Sequence, residues 1–405
     1  MASACGLSND TKYSQALQNY NQTHNTEILK LKPLQEKALD VLLSGKDCLC
    51  SLPTGYGKSL IFELLPFIDP NCLVVIIEPL NVIMAQEAQK LGTKSMCLTS
   101  KSDLTGIKKG SVKYIFCHPE DILYNKKIME MFRNEDFKMK QIFLVVDEAH
   151  CILKWGDDFR PDFKRLGNLR SVFCCQVLAL TATVTCVGQK EIMKNLLMKN
   201  WATVCAAPTK PNIVLAVLKR PSATSKGNTS TSPYDFIFEK ILNELKNKGK
   251  DFPLTIVYCK SIQWIGYGYE LAREILGDQF YDGEQQPEHA RVVMFHSSME
   301  DSKGKLKAMI LADLQRPPSE CCIRLVFASV ALGMGADLRH VQRVIHAGPP
   351  STLETYVQEI GRAGRADSQA LAIMFYNGND LAFKQMQANM KEYCKNNDKC
   401  KRELV

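Results

Sequence analysis

Short unbroken apolar runs punctuate the first half of the chain, at Cys48–Leu52, Leu73–Ile77, Val112–Phe116, Ile142–Val146 and Val177–Leu180. Each has strand length and none alternates with polar residues, which is the pattern of strands buried on both faces. Helical stretches lie between them, such as Leu80-Asn-Val-Ile-Met-Ala-Gln-Glu-Ala-Gln-Lys-Leu91, which Gly92 stops. A second series follows at Leu254–Tyr258, Arg291–Phe295, Ile323–Ala328, Arg343–His346 and Leu371–Tyr376. The stretch from Arg220 to Pro233, rich in Ser, Thr and Gly, has the composition of a linker or loop. The pattern predicts an α/β chain with two tandem domains, each a mainly parallel sheet flanked by helices. Residues 27–207 form the first and 236–380 the second, joined by a linker at 208–235. Residues 1–26 are polar and predict a flexible tail. Residues 381–405 are helical and charged and read as the start of a further element.

Composition narrows this picture slightly. Of 405 residues, 45% are hydrophobic and 23% charged, as in ordinary soluble domains. No apolar run approaches the ~18 residues of a membrane span, and the N-terminus lacks the basic and apolar regions of a secretory signal. Sixteen cysteines are scattered through strand-like segments with no C-x-x-C spacing. They predict buried free thiols in a reducing compartment rather than a disulfide framework. A net charge of +8 is compatible with a polyanionic partner, although a solvated basic surface would give the same number.

The chemistry concentrates at Ser51-Leu-Pro-Thr-Gly-Tyr-Gly-Lys-Ser-Leu60, between a strand and a helix. Gly55 and Gly57 allow a sharp turn and close approach to a ligand. With Thr54 and Tyr56 they place backbone N–H groups at a helix N-terminus, where an anion is favoured. Lys58 adds a charge for a β- or γ-phosphate, and the Ser59 hydroxyl is placed for Mg²⁺. Leu52 stands where the strict phosphate-loop pattern has glycine, so an ordinary strand–turn–helix junction stays open on this stretch alone. About ninety residues later, Ile142-Phe-Leu-Val-Val-Asp-Glu-Ala-His150 delivers two carboxylates at a strand end. Asp147 is placed to hold Mg²⁺ and Glu148 to deprotonate a water for in-line attack on a γ-phosphate. His150 is placed to contact phosphates or to relay between domains.

Further candidates surround this pair. Gln35 offers one donor and one acceptor, the set that pairs with adenine. Thr181 and Thr183, at the end of Leu178-Ala-Leu-Thr-Ala-Thr183, are placed to hydrogen-bond the Asp147 strand. Trp155, Phe159 and Phe163, interleaved with Lys154 and Arg160, suit base stacking and phosphate contact on a single strand, or else form a local aromatic core. In Gln358-Glu-Ile-Gly-Arg-Ala-Gly-Arg365, Arg362 and Arg365 read as two planar forks for phosphate on one helical face.

The ordered set resembles superfamily 2 helicases and, within them, the RecQ family of DNA helicases. Lys32-Pro-Leu-Gln35 is similar to the family's opening motif, and Leu52-Pro-Thr-Gly-Tyr-Gly-Lys-Ser59 to its Walker A loop, where a non-glycine first position is usual. Pro79-Leu80 and His118-Pro-Glu120 resemble the DNA-contacting motifs Ia and Ib. Asp147-Glu-Ala-His150, followed at once by Cys-Ile-Leu-Lys-Trp-Gly-Asp-Asp-Phe-Arg-Pro161, resembles the RecQ Walker B box with its aromatic-rich loop. Leu180–Thr183, Ala331–Asp337 and Gln358–Arg365 are similar to motifs III, V and VI. The resemblance covers residues 27 to 380. It implies two RecA-like domains that close on Mg²⁺ and ATP, 3′-to-5′ translocation on single-stranded DNA, and unwinding of tailed duplex DNA. It implies Arg365, with Arg362 beside it, as the arginine finger, and Trp155, Phe159 and Arg160 as the DNA sensor. It also implies a nuclear location, without a membrane partner.

The sequence departs from that family at Tyr56, where glycine is more frequent, and at Glu78, where serine is common before Pro79. Ala336-Asp337 stands where Ile-Asn is frequent. Relatives continue into a zinc-binding module and a winged helix; Cys394 and Cys400 approach that module but cannot complete a four-ligand site, so zinc is not expected. An RNA-directed helicase of the same superfamily, or a DNA-binding module without productive unwinding, are the competing expectations.

Overall fold

The computed structural model describes residues 12–79, 81–134, 137, 140–155, 161–171, 175–208, 210–221, 232–299, 305–333, 338–365 and 368–405. They fall into two compact units, Met1–Ala207 and Pro208–Val405.

The first unit is built on a seven-stranded sheet: β1 Cys48–Ser51, β2 Leu73–Ile77, β3 Ser95–Cys97, β4 Tyr114–Cys117, β5 Ile142–Val146, β6 Cys175–Thr181 and β7 Ala202–Cys205. Its order is β3-β4-β2-β5-β6-β1-β7, with every pair parallel. The central strands β1, β2, β4 and β5 are buried at every position, as their unbroken apolar runs require. On one face pack α1 Ser14–His24, α2 Pro33–Leu43, the short α3 Ser59–Glu63 and α4 Asn81–Leu91. Toward the other face lie α5 Cys151–Trp155, a 3₁₀ stretch at Pro161–Ser171 and α6 Cys186–Asn195.

The second unit carries a six-stranded parallel sheet: β8 Ile213–Lys219, β9 Thr255–Tyr258, β10 Val292–Phe295, β11 Leu325–Ala328, β12 Arg343–His346 and β13 Ala370–Tyr376, in the order β10-β11-β9-β12-β13-β8. Its helices include α7 Asp235–Lys248, α8 Ile262–Leu276, α9 Leu353–Ile360 and α10 Ala388–Lys395.

Three segments differ from the sequence expectation. The expected flexible tail is helical from Ser14 to His24. Its Leu17 and Tyr20 are buried, and the Tyr20 hydroxyl donates to the buried Glu63 carboxylate, which also pairs with Lys90 at 2.6 Å. Few apolar side chains sufficed because those few are aromatic or well placed. The expected linker at 208–235 contains β8, paired along its length with β13; residues 222–231 lie outside the described part. The stretch 381–405, read as the start of a further element, packs into the second unit. Met390, Tyr393 and Cys394 are buried in the second core, and Arg402 donates to the Lys210 and Ile213 carbonyls. Among the described residues no helix is long and apolar enough to cross a membrane.

Candidate functional site

The loop between β1 and α3 owes its shape to two glycines. Gly55 and Gly57 sit at φ +78° and +87°, where a side chain would be strained. Tyr56 between them has no such φ, so the position tolerates a side chain, and the tyrosine ring lies 4.8 Å from the Lys32 ammonium. The departure at Tyr56 therefore leaves the turn intact. Lys58 Nζ donates to the Leu52 carbonyl at 3.3 Å, and Ser59 opens α3, so charge, hydroxyl and helix N-terminus converge on one loop. Thr54 lies in the same turn.

Gln35 has different partners from those expected. Its amide nitrogen donates to the Gly57 carbonyl at 2.8 Å and the Tyr56 carbonyl at 3.3 Å, while its oxygen accepts the Lys32 N–H at 2.8 Å. Both ends of the amide hold the loop on α2. A Cβ on Gly57 would stand 2.7 Å from that nitrogen, so the contact also requires glycine. Two neutral hydrogen bonds are worth about 0.5–1.5 kcal/mol each. Gln35→Ala is accordingly expected to raise KM for ATP by about tenfold with a smaller change in kcat, measured by steady-state phosphate release.

Asp147 and Glu148 follow β5 directly. Asp147 N–H donates to the Ile77 carbonyl and Ala149 N–H to the Leu180 carbonyl, so the turn is pinned to both flanking strands. Glu148 adopts φ +47°, a conformation rare for non-glycine residues and often found at functional sites. The Asp147 carboxylate accepts the Glu148 N–H at 2.8 Å. Burial, reinforced by the Glu148 charge and opposed by Lys58, pushes Asp147 up to about 6. His150 Nδ1 lies 3.3 Å from the Glu148 carboxylate and 3.4 Å from Thr181 Oγ1, which donates to the Thr183 carbonyl. The threonines thus reach the Asp147 turn through His150, not directly.

Glu78 is a residue whose importance the sequence did not disclose. It follows β2, and the register of β2 against β5 sets it beside Asp147. It is 1% exposed, and no described donor reaches either carboxylate oxygen. Burial, then the charges of Asp147, Glu148 and Glu87, holds it well above the usual carboxylate range. Both Glu78 and Asp147 have folded pKa values raised above their unfolded ones. The folded state therefore binds more protons than the unfolded state as pH rises from the ordinary carboxylate value, and stability falls through that window. Glu78→Gln is expected to raise the Tm of nucleotide-free protein by about 2–4 °C at pH 8. The gain should shrink as pH falls toward 4; an equal gain at every pH would contradict the assignment.

The neighbouring motifs Ia and Ib meet through His118, whose Nδ1 bonds the Glu78 carbonyl at 2.8 Å and Nε2 the Asn81 carboxamide oxygen at 2.7 Å. Leu80 lies outside the described residues. The aromatic stretch is only partly described. Cys151–Trp155 is helical rather than a loop, the Trp155 side chain is outside the described part, and so are Phe159 and Arg160. Phe163 is fully buried in the first core, so it is a packing residue and not a stacking platform.

In the second unit α9 ends at Ile360, so Arg362 and Arg365 do not share a regular helical face. Gly361 caps the helix and Gly364, at φ +62°, turns the chain; a Cβ there would stand 2.7 Å from Asn212. Lys210 donates to the Gly361 and Ala363 carbonyls and Asn212 to the Gly364 carbonyl, so the segment just before β8 braces the arginine loop. No spacing in the sequence signals this. Arg362 is 2% exposed, whereas Arg365 is half-buried. Ala336 and Asp337 lie outside the described residues.

Comparison with known proteins agrees with this layout. Residues 32–192 match the DEAD/DEAH box helicase family and residues 237–367 the helicase conserved C-terminal domain. The chain is 30% identical over 406 residues to the ATP-dependent DNA helicase Q1 of Rattus norvegicus, covering 94% of this chain and 60% of that protein. It is 30% identical over 362 residues to the ATP-dependent DNA helicase RecQ of Haemophilus influenzae, covering 87% and 52% respectively. The chain thus spans between half and two thirds of the length of these relatives. Among solved structures, the DEAD-box helicase Mss116 bound to single-stranded RNA superposes with a TM-score of 0.66 at 18% identity, over 90% of this chain and 73% of that one. The Mycobacterium smegmatis helicase Lhr bound to single-stranded DNA gives 0.65 at 18% identity, over 89% and 48%. These likenesses identify the fold as two RecA-like units, and the relatives above show that the chain is similar over most of its length to RecQ-type ATP-dependent DNA helicases.

Proposed function

We propose that the chain is the motor of an ATP-dependent DNA helicase, translocating 3′-to-5′ on single-stranded DNA and opening tailed duplexes. The observation that carries this reading is the joint presence, at the ends of parallel strands of one sheet, of the Gly55–Ser59 loop and the Asp147–His150 turn. Lys58 and the α3 N-terminus receive the β- and γ-phosphates, and Glu148 takes the proton of the attacking water. Arg365 stabilises charge on the γ-phosphate in the hydrolysis-competent state. His150, between Glu148 and Thr181, links hydrolysis to the strand ends that contact nucleic acid.

The residues present suit Mg²⁺. A buried carboxylate at Asp147, raised by a neighbouring carboxylate, is relieved by a divalent cation, and the Ser59 hydroxyl is a hard oxygen donor on the phosphate side. Asp147 and Ser59 would hold the ion, which would supply charge neutralisation to the bound phosphates. Zinc fits poorly: Cys394 is a core thiol pushed up to about 12 by burial, while Cys400 is exposed. A DNA substrate and free thiols point to the nucleus as the compartment in a eukaryotic cell.

The test is ATP turnover with and without single-stranded DNA or RNA of equal length. Stimulation by DNA well above that by RNA supports the proposal. Equal or greater stimulation by RNA favours an RNA-directed helicase, and no stimulation by either favours a binding module.

A further inference from the structure

The first sheet ends in a strand that is paired on one side only. β7 lies parallel to β1, with the Ala202 and Ala206 N–H groups donating to the Asp47 and Ser51 carbonyls. The alternation of a parallel ladder then turns the backbone groups of Thr203 and Cys205 outward, where no described strand meets them. The same alternation sets Trp201, Thr203 and Cys205 on one face, while Val204 points into the core beside α2.

Across from that face runs α6, presenting Cys186, Gln189, Lys190 and Met193 at helical spacing. Gln189 Nε2 reaches Cys205 Sγ at 3.9 Å, which sets the beginning of the helix against the end of the strand. Between them opens a groove of about 610 Å³ with Met198 and Trp201 at its other end. Trp201 is 49% exposed, unusual for the largest side chain on a strand edge. The charged lining residues are Lys190 and Lys194, and no carboxylate lines the groove.

We propose that this edge docks an acidic, extended peptide segment of a partner protein, added beside β7 as a further strand. One apolar side chain of the peptide seats against Trp201, Met193 and Met198, and its carboxylates lie near Lys190 and Lys194. Outward backbone groups supply the register, as in strand-addition complexes. Flexible thioethers adapt to the inserted side chain, and the all-cationic rim selects the sign of the partner. A nucleic acid is the weaker fit: the groove holds a single aromatic platform and gives its backbone groups to a strand rather than to phosphates. None of these residues belongs to the nucleotide site.

The experiment uses the whole chain and a fluorescein-labelled octapeptide alternating Glu with Leu and Phe, read by anisotropy. Saturable binding is expected, weakened by at least about tenfold in Trp201→Ala and in the Lys190→Glu/Lys194→Glu double variant. ATP turnover should be unchanged in the double variant, which alters only surface charge and so keeps the test valid if Trp201→Ala fails to fold. The same octapeptide with Lys in place of Glu should bind the double variant better than the unaltered chain. An acidic peptide N-methylated on the edge that pairs with β7 should lose binding. Absence of saturable binding, equal binding by the unaltered chain of the Lys peptide, or indifference to N-methylation would overturn the proposal. So would groove variants that weaken an oligo(dT) probe but not the peptide, which would mark a nucleic-acid surface.

Discussion

Lys58→Ala is expected to reduce ATP turnover by about a thousandfold while leaving affinity for single-stranded DNA within about twofold, as no direct DNA role is assigned to this residue. The charge of Lys58 opposes the upward shift of Asp147. It stands at the N-terminus of α3, where the loop glycines bring backbone N–H groups toward a phosphate. Removing it takes away the charge that develops most attraction as the γ-phosphate departs, and leaves Asp147 and Glu148 with less compensation. Its ammonium makes a long hydrogen bond, 3.3 Å, to the Leu52 carbonyl. The fold therefore loses little, and Tm should hold. Turnover within tenfold of the unaltered protein would show that the phosphates bind elsewhere.

Arg365→Ala is expected to lower kcat by about 10³–10⁵, with the affinity for a non-hydrolysable ATP analogue much less affected. Arg365→Lys should recover little, because an ammonium lacks the planar fork that spans two phosphate oxygens. The loop carrying Arg365 is held by Lys210 and Asn212, so truncating the side chain leaves its backbone in place. Arg362 should behave differently. At 2% exposure it is among the largest fully buried side chains, and Arg362→Ala should lower Tm as well as activity. Equal Tm losses in the two alanine variants would contradict this division of roles.

The central strands were legible in the sequence because burial on both faces leaves no room for polar residues. Leu73–Ile77, Ile142–Val146 and Arg343–His346 begin and end as the apolar runs do. Three of the four edge strands were not, Val292–Phe295 being the exception. Ser95–Cys97, Ala202–Cys205 and Ile213–Lys219 are only partly buried, and half-exposed strands mix polar and apolar residues as loops do. The helix at Ser14–His24 hid for a related reason: most of its residues are polar, and Leu17 and Tyr20 dominate its anchorage.

The site was legible in its spacing and less so in its contacts. Glycines at 55 and 57 follow from the turn they must make, and the structure shows why Tyr56 is tolerated between them. The partners of Gln35 were not legible, because an amide suited to adenine is equally suited to two carbonyls of the loop. Nor was the burial of Glu78: a carboxylate after a strand ordinarily faces water, and only the β2–β5 register sets it beside Asp147. Arg362 and Arg365 looked equivalent because the sequence does not reveal that the helix stops at Ile360.

The most direct measurement of the central claim is ATP-dependent strand displacement on duplexes carrying a 3′ or a 5′ single-stranded tail. The expected result is displacement from the 3′-tailed duplex only, requiring ATP and Mg²⁺ and abolished by Lys58→Ala. Displacement from the 5′-tailed duplex, or equal displacement without ATP hydrolysis, would contradict it.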